Sequence, residues 1–232
     1  MENIKHVFFD LDNTLWDYRR NANITLVKLY EEFQVEEKYG FTFKEFYPFY
    51  YESNEQLWAD YRDGKVTKDE LRARRFPEAF AEMGLPNFEH ALEFERRFVD
   101  EVTTSNYVVE GAEEVLEYLK DKYTLHILSN GFEEVTHSKI NGSIVKDYVQ
   151  TITTAEGAGA PKPEPLAFQT SLDKAQAKAE ESVYIGDDWI ADMIGATRMG
   201  MHAIFFNPLN ENHMWIEEVP VIEKLVELKE YL

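Results

Sequence analysis

The sequence predicts an α/β fold: a doubly wound parallel sheet, interrupted after its first strand by an all-helical insertion. Three observations predict it. An apolar run at residues 4 to 9 opens the chain, short β-like runs return only beyond residue 104, and the stretch between them is helical in pattern and rich in aromatics.

The run Ile4 to Phe9 reads as a buried parallel strand. From about residue 20 to residue 104 the spacing predicts four or five helices, with turn signals at Asp63-Gly64 and Gly84-Leu85-Pro86-Asn87. Thr67-Lys68-Asp69-Glu70 is a capping box, opening a helix that carries Leu71, Arg74, Arg75 and Phe80. Strands are then predicted at residues 124 to 128, 149 to 153, 183 to 185 and 203 to 206, with helical segments between them. The alternation implies βαβ units, and the first strand must pair into the same sheet. An insertion after that strand belongs above the carboxyl edge of the sheet, where it can shut out water. The spacing of Val221, Leu225, Val226 and Leu228 predicts a packing helix over Val219 to Leu232. No internal repeat, low-complexity tract or long linker interrupts the pattern.

Composition excludes several classes. With 44% apolar residues in 232, the chain can bury a substantial core. It has no cysteine, which rules out disulfides, thiolate catalysis and cysteine metal sites and suits a reducing cytoplasm. The amino terminus lacks the pattern of a secretory signal, and no apolar run approaches the length of a membrane span. A cytoplasmic location is therefore expected, and the Asn23-Ile24-Thr25 and Asn141-Gly142-Ser143 sequons are expected to be silent. The net charge of −20 argues against a nucleic-acid polymer or an anionic membrane as partner. A small anionic substrate would need locally placed positive charge.

That requirement directs attention to the strand ends. Asp10-Leu11-Asp12-Asn13-Thr14 follows the first strand, so two carboxylates emerge where open α/β sheets collect ligands. A divalent cation would relieve their repulsion, leaving one as nucleophile and the other to handle a proton. Leu128-Ser129-Asn130-Gly131 ends the second run and opens a helix, whose free N–H groups attract anions, although Ser-Asn-Gly is also a common turn and cap. Ala160-Pro161-Lys162-Pro163-Glu164-Pro165 sets one lysine among prolines that limit where its ammonium can go. Gly186-Asp187-Asp188-Trp189-Ile190-Ala191-Asp192 places Asp187 for a hard cation and Asp192 one helical turn on, to orient Lys162 or a metal-bound water. Asp188 reads equally well as an N-cap. The histidines at 6, 90, 126, 137, 202 and 213 show no metal-ligand spacing.

In this order, two carboxylates, a hydroxyl, a lysine and a carboxylate pair resemble the four motifs of the haloacid dehalogenase superfamily of phosphotransferases and hydrolases. The resemblance implies a Rossmann-like core over residues 1–14 and 106–232, with residues 15–105 as an all-helical cap. It implies that Asp10 attacks a phosphoryl group and forms an aspartyl phosphate, with Asp12 as general acid and base. It also implies Mg2+ held by Asp10, the backbone carbonyl of Asp12 and Asp187, with Ser129, Asn130 and Lys162 on the phosphate. Dehalogenases of the founding type lack a carboxylate at the position of Asp12, so the resemblance points to phosphatase chemistry.

Within the superfamily, Leu57-Trp58-Ala59-Asp60-Tyr61-Arg62-Asp63-Gly64-Lys65-Val66-Thr67 with Arg75-Phe76, and Asn130-Gly131-Phe132, resemble pyrimidine 5′-nucleotidases of the YjjG type. The implied function is Mg2+-dependent hydrolysis of a small phosphorylated metabolite, a nucleoside 5′-monophosphate, by a monomer or homodimer. Tyr47, Phe49, Tyr50, Trp58 and Tyr61 either stack on a base or pack the cap, and Arg75 either contacts substrate or braces it. A sugar-phosphate phosphatase or a β-phosphoglucomutase-like mutase would use the same Asp10 and Asp12. A phosphate-responsive interaction protein is disfavoured by the long helical insertion and the complete set of Asp10, Asp12, Lys162 and Asp187.

Overall fold

A computed structural model describes residues 3–212 and 219–232. His213 lies outside the described residues. The chain divides into two compact units, Met1–Tyr18 with Asn106–Leu232, and Arg19–Ser105.

The first unit is built on six parallel strands: β1 (His6–Phe9), β2 (Thr124–Ser129), β3 (Val149–Thr154), β4 (Ser182–Gly186), β5 (His202–Phe206) and β6 (Val221–Ile222). Their order is β3-β2-β1-β4-β5-β6. Strand β1 is central, with Val7 in register with Leu125 on one side and Val183 on the other. Val7, Phe8 and Phe9 are correspondingly buried, because both faces of an inner parallel strand are covered. The winding reverses between β1 and β4, which opens a crevice at their carboxyl ends. Asp10 and Asp187 are the residues that leave those two strands.

The second unit is all-helical: α1 (Tyr18–Glu32), α2 (Val35–Tyr39), α3 (Phe43–Arg62), α4 (Lys68–Met83) and α5 (Ala91–Glu101). The capping box read from the sequence opens α4, with Thr67 Oγ1 accepting from Glu70 N–H at 3.2 Å and Glu70 Oε2 accepting from Thr67 N–H at 2.8 Å. The same device at Thr42 and Glu45 opens α3. Gly84, at φ 110°, ends α4 in the left-handed region that only glycine adopts without strain. The core is aromatic. Phe46 and Phe80 stack at 4.8 Å, Phe76 and Phe94 lie 4.7 Å apart, and Tyr50 packs on Phe46, Phe76 and Phe98. Tyr50 is thus a core residue.

Helices α6 (Ala112–Leu119), α7 (Glu133–Gly142), α8 (Ala155–Ala158), α9 (Pro165–Ala175) and α10 (Gly195–Arg198) complete the sheet unit, with a π-helical turn at Trp189–Ile194 before α10. The expected carboxyl-terminal helix is a correction. Residues Val221–Ile222 instead extend the sheet, where Ile222 C=O accepts from Asn207 N–H at 2.8 Å. Leu225–Glu230 then forms a 3-10 helix, and the three-residue interval between buried Leu225 and Leu228 suits its three residues per turn. Among the described residues no helix is long and apolar enough to cross a membrane.

Candidate active site

The loop after β1 is folded tightly by its own backbone. Asp10 N–H continues the sheet pairing to Ile185 C=O at 2.9 Å, Asn13 takes a left-handed conformation at φ 60°, and Trp16 N–H returns to Leu11 C=O at 2.8 Å. Asp10 and Asp12 therefore leave the same loop but meet different cations.

Asp10 meets Lys162. Its Oδ1 accepts from Lys162 Nζ at 2.6 Å, and the same ammonium donates to Asp192 Oδ1 at 2.7 Å and Tyr184 Oη at 2.9 Å. Tyr184 Oη in turn donates to Leu128 C=O at 2.7 Å. Lys162 is 2% exposed, so its aim is set by these partners and by its backbone. The backbone is clamped by Asn130, whose Oδ1 accepts from Lys162 N–H at 2.7 Å and whose Nδ2 donates to Lys162 C=O at 3.0 Å.

Asp192 reaches Lys162 because Gly186 has no side chain. A Cβ there would overlap the Asp192 carboxylate. Asp192 Oδ2 accepts from Asp188 N–H at 3.0 Å, and Asp188 acts as the N-cap of the turn, accepting from Ile190 and Ala191 N–H groups at 2.8 and 2.9 Å. Of the two roles open to Asp192, the orientation of Lys162 is the one observed.

Burial pushes the Asp10 carboxyl up to about 7; Lys162 pulls it down and Asp192 adds to the rise. Burial likewise raises Asp192. It works against the Lys162 ammonium, but Asp10 and Asp192 outweigh it and hold that proton firmly. Carboxylate oxygens of Asp10, Asp187 and Asp192 gather within 4.8 Å of one another, and Thr14 Oγ1 donates to Asp187 Oδ1 at 3.3 Å. Three hard oxygen donors with one ammonium between them fit a small divalent cation. Mg2+ held by Asp10 and Asp187 would restore the charged form of Asp10 and supply positive charge to an anionic substrate.

Asp12 meets Lys139, whose Nζ donates to both its oxygens at 2.6 and 2.8 Å. Ser129 Oγ accepts from Gly131 N–H at 3.0 Å, which leaves its own proton for another acceptor. A Cβ on Gly131 would meet Thr136 Oγ1 at 2.7 Å and Ser129 Oγ at 3.3 Å, and would stand 3.5 Å from Asp12 Oδ2. The bare Gly131 backbone thus lies between Ser129 and Asp12.

Two of the residues considered from the sequence have their side chains engaged within the fold. The side chain of Asn130 is occupied by the Lys162 backbone and positions the lysine. Arg75 is 3% exposed inside the helical unit, with Nε and Nη2 donating to Glu95 at 3.0 and 2.7 Å and Nη1 to Asn54 at 3.1 Å. It braces the helices. Lys139 and Tyr184, which pair with Asp12 and Lys162, carry no motif that marks them in the sequence. The only sequence signal for Lys139 is its place with Thr136 and Ile140 on the inward face of α7.

Residues 7–206 match the haloacid dehalogenase-like hydrolase family. The chain is 26% identical over 212 residues to the pyrimidine 5′-nucleotidase PynA of Streptococcus pneumoniae, covering 90% of this chain and 86% of that one. It is 25% identical over 202 residues to the pyrimidine 5′-nucleotidase YjjG of Escherichia coli, covering 87% and 85%. A magnesium-bound crystal structure of the HAD-hydrolase YfnB from Bacillus subtilis superposes with a TM-score of 0.87 over 99% of both chains at 23% identity, which shows the shared α/β fold.

Proposed function

We propose that this chain, which belongs to the haloacid dehalogenase-like hydrolase family, is an Mg2+-dependent phosphatase of small phosphate monoesters, with a nucleoside 5′-monophosphate as substrate. The observation that carries the reading is the pair of carboxylates in one loop with separate cationic partners: Asp10 on Lys162 and Asp12 on Lys139. In the first step a carboxylate oxygen of Asp10 attacks phosphorus, the P–O bond to the ester breaks, and the departing alkoxide takes a proton from Asp12. In the second, Asp12 takes a proton from water as that water attacks the aspartyl phosphate, releasing inorganic phosphate and the Asp10 carboxylate. Lys162 and the Ser129 hydroxyl supply charge and a hydrogen bond to the phosphoryl oxygens. Asp12 also weighs against dehalogenation, where no alkoxide has to be protonated.

The nucleotide assignment is supported by PynA and YjjG and by the Leu57 to Thr67 segment of the helical unit. A phosphate-release screen over nucleoside monophosphates, sugar phosphates and an aryl phosphate, with and without Mg2+, tests it. We expect release above all from nucleoside monophosphates, no release from Asp10→Asn, and a loss of about 10^2- to 10^4-fold on alkyl phosphates in Asp12→Asn. Near-normal turnover by Asp12→Asn removes it from proton transfer. A preference for sugar phosphates overturns the nucleotide assignment.

A further inference from the structure

Lys139 is the buried charge that the phosphate chemistry does not use. It is 3% exposed on the inward face of α7, and the rings of Trp16 and Tyr18 lie 4.7 and 5.2 Å from its Nζ. Trp16 is itself fixed, its Nε1–H donating to Asn106 Oδ1 at 3.1 Å. An ammonium taken out of water onto aromatic faces is costly unless a counter-charge meets it, and here that charge is Asp12.

The position of Asp12 makes this pairing consequential. It lies two residues from Asp10, and a carboxylate that close is a natural further ligand for the same cation. Among the described residues, however, the carboxylates that gather within 4.8 Å are Asp10, Asp187 and Asp192, and Asp12 is not one of them. Both of its oxygens accept instead from Lys139, and Oδ2 stands 3.5 Å from where a Cβ on Gly131 would lie. A cation competes with a proton for carboxylate lone pairs, so an Asp12 drawn onto the cation would be a poor proton carrier. Two N–H bonds from Lys139, by contrast, leave the carboxylate about two further acceptor sites.

We infer that Lys139 is a positioning residue, holding the Asp12 carboxylate away from the cation-binding carboxylates so that its oxygens remain available for proton transfer. This rests on the proton role proposed for Asp12. The charge at Lys139 is what turns a potential metal ligand into an acid and base.

Lys139→Met and Lys139→Arg in the full chain test it through a readout that depends on the leaving group. An aryl phosphate expels a stabilised phenolate without a proton, whereas an alkyl phosphate needs one, and kcat/KM counts the steps through that departure. The aryl-to-alkyl ratio of kcat/KM is expected to rise at least about tenfold in Lys139→Met and to return towards wild type in Lys139→Arg. Calorimetry with Mg2+ and no substrate is the second readout. Lys139→Met is expected to bind Mg2+ more tightly, and the gain should vanish when the substitution is made in an Asp12→Asn background. Equal loss on both substrates with unchanged Mg2+ affinity overturns the inference, as does a gain in affinity that survives Asp12→Asn. If wild-type protein releases phosphate from neither substrate, the phosphatase reading fails separately. Calorimetry then decides, with unchanged affinity counting against Lys139 and an Asp12-dependent gain supporting its hold. Lys139→Gln serves the same comparisons if the methionine variant does not fold.

Discussion

Arg75 in the helical unit and Lys162 in the sheet unit are both buried against carboxylates, and the difference between these two separates architecture from chemistry. In the helical unit Arg75 faces Glu95 one to one, its guanidinium forked onto both oxygens, its remaining edge on Asn54, and the rings of Phe76 and Phe98 beside it at 5.4 and 5.0 Å. That charge is neutralised, and each donor group has a partner. In the sheet unit one lysine stands among Asp10, Asp192 and the nearby Asp187. At such separations two like charges repel by a few kcal/mol even at the effective dielectric of a protein. A balanced pair needs nothing further, whereas the unbalanced cluster favours an added cation or a proton.

The largest effect expected from this contrast is on stability in the helical unit. Arg75→Met leaves Glu95 buried and unpaired, which should cost about 3 to 5 kcal/mol in denaturant unfolding, while Arg75→Met with Glu95→Met recovers most of the loss. Phosphate release per folded molecule should be unchanged. An Arg75→Met protein of normal stability with impaired turnover would break the contrast and return Arg75 to the substrate.

A smaller effect is expected where the charge is unbalanced. Mg2+ at about 100 times its dissociation constant should stabilise the chain by about 2.7 kcal/mol, or roughly 5 to 10 °C in thermal midpoint for a domain of this size. Asp187→Asn should remove most of that shift and leave the chelated protein at least as stable as wild type, since it relieves repulsion. Thermal melts in EDTA and in MgCl2 read both quantities. A full Mg2+ shift in Asp187→Asn would remove Asp187 from the cation site.

The same contrast explains what could be read from the sequence. Strands β1 to β5 were legible because an inner parallel strand is a short apolar run, and the groups at their ends were legible because chemistry collects there. Strand β6 has only two residues, too few for any pattern, and the spacing around it resembled a helix. The Thr42 and Glu45 capping box has the same sequence signature as the one at Thr67. Apart from Asp192 and Lys162, partners across the fold were not legible. That Asn130 is spent on the Lys162 backbone 32 residues away, that Arg75 finds Glu95, and that Lys139 finds Asp12 follow from how elements meet, which local spacing does not encode.

The effect that is smallest per step of the measurement, at most about 1.4 kcal/mol for each pH unit, sharpens the contrast with a buried polar group that carries no charge. His126 is fully buried on β2, stacked on Phe8 at 4.6 Å, with Nε2 3.1 Å from His6 Nδ1 and Nδ1 2.8 Å from Thr151 Oγ1. Burial, aided by His6, pushes its imidazole down from 6.5 to about 4. Below pH 6.5 the unfolded chain therefore binds a proton that the fold refuses until about pH 4, so stability falls with acidification across that window, by up to about 1.4 kcal/mol per pH unit. Asp10 acts with the opposite sign. Raised to about 7, it binds its proton in the fold before the unfolded chain does, and stability from this source grows as the pH falls through 7. The two contributions mask each other in any single curve, so the informative quantity is the difference between wild type and His126→Phe, in which Asp10 cancels. That difference should change in favour of His126→Phe as the pH falls from about 6.5 to 4 and be flat above 6.5. Parallel stability curves would mean that His126 takes up its proton as readily in the fold as in the unfolded chain, and the cluster of His6, His126 and Thr151 would then need a counter-charge of its own.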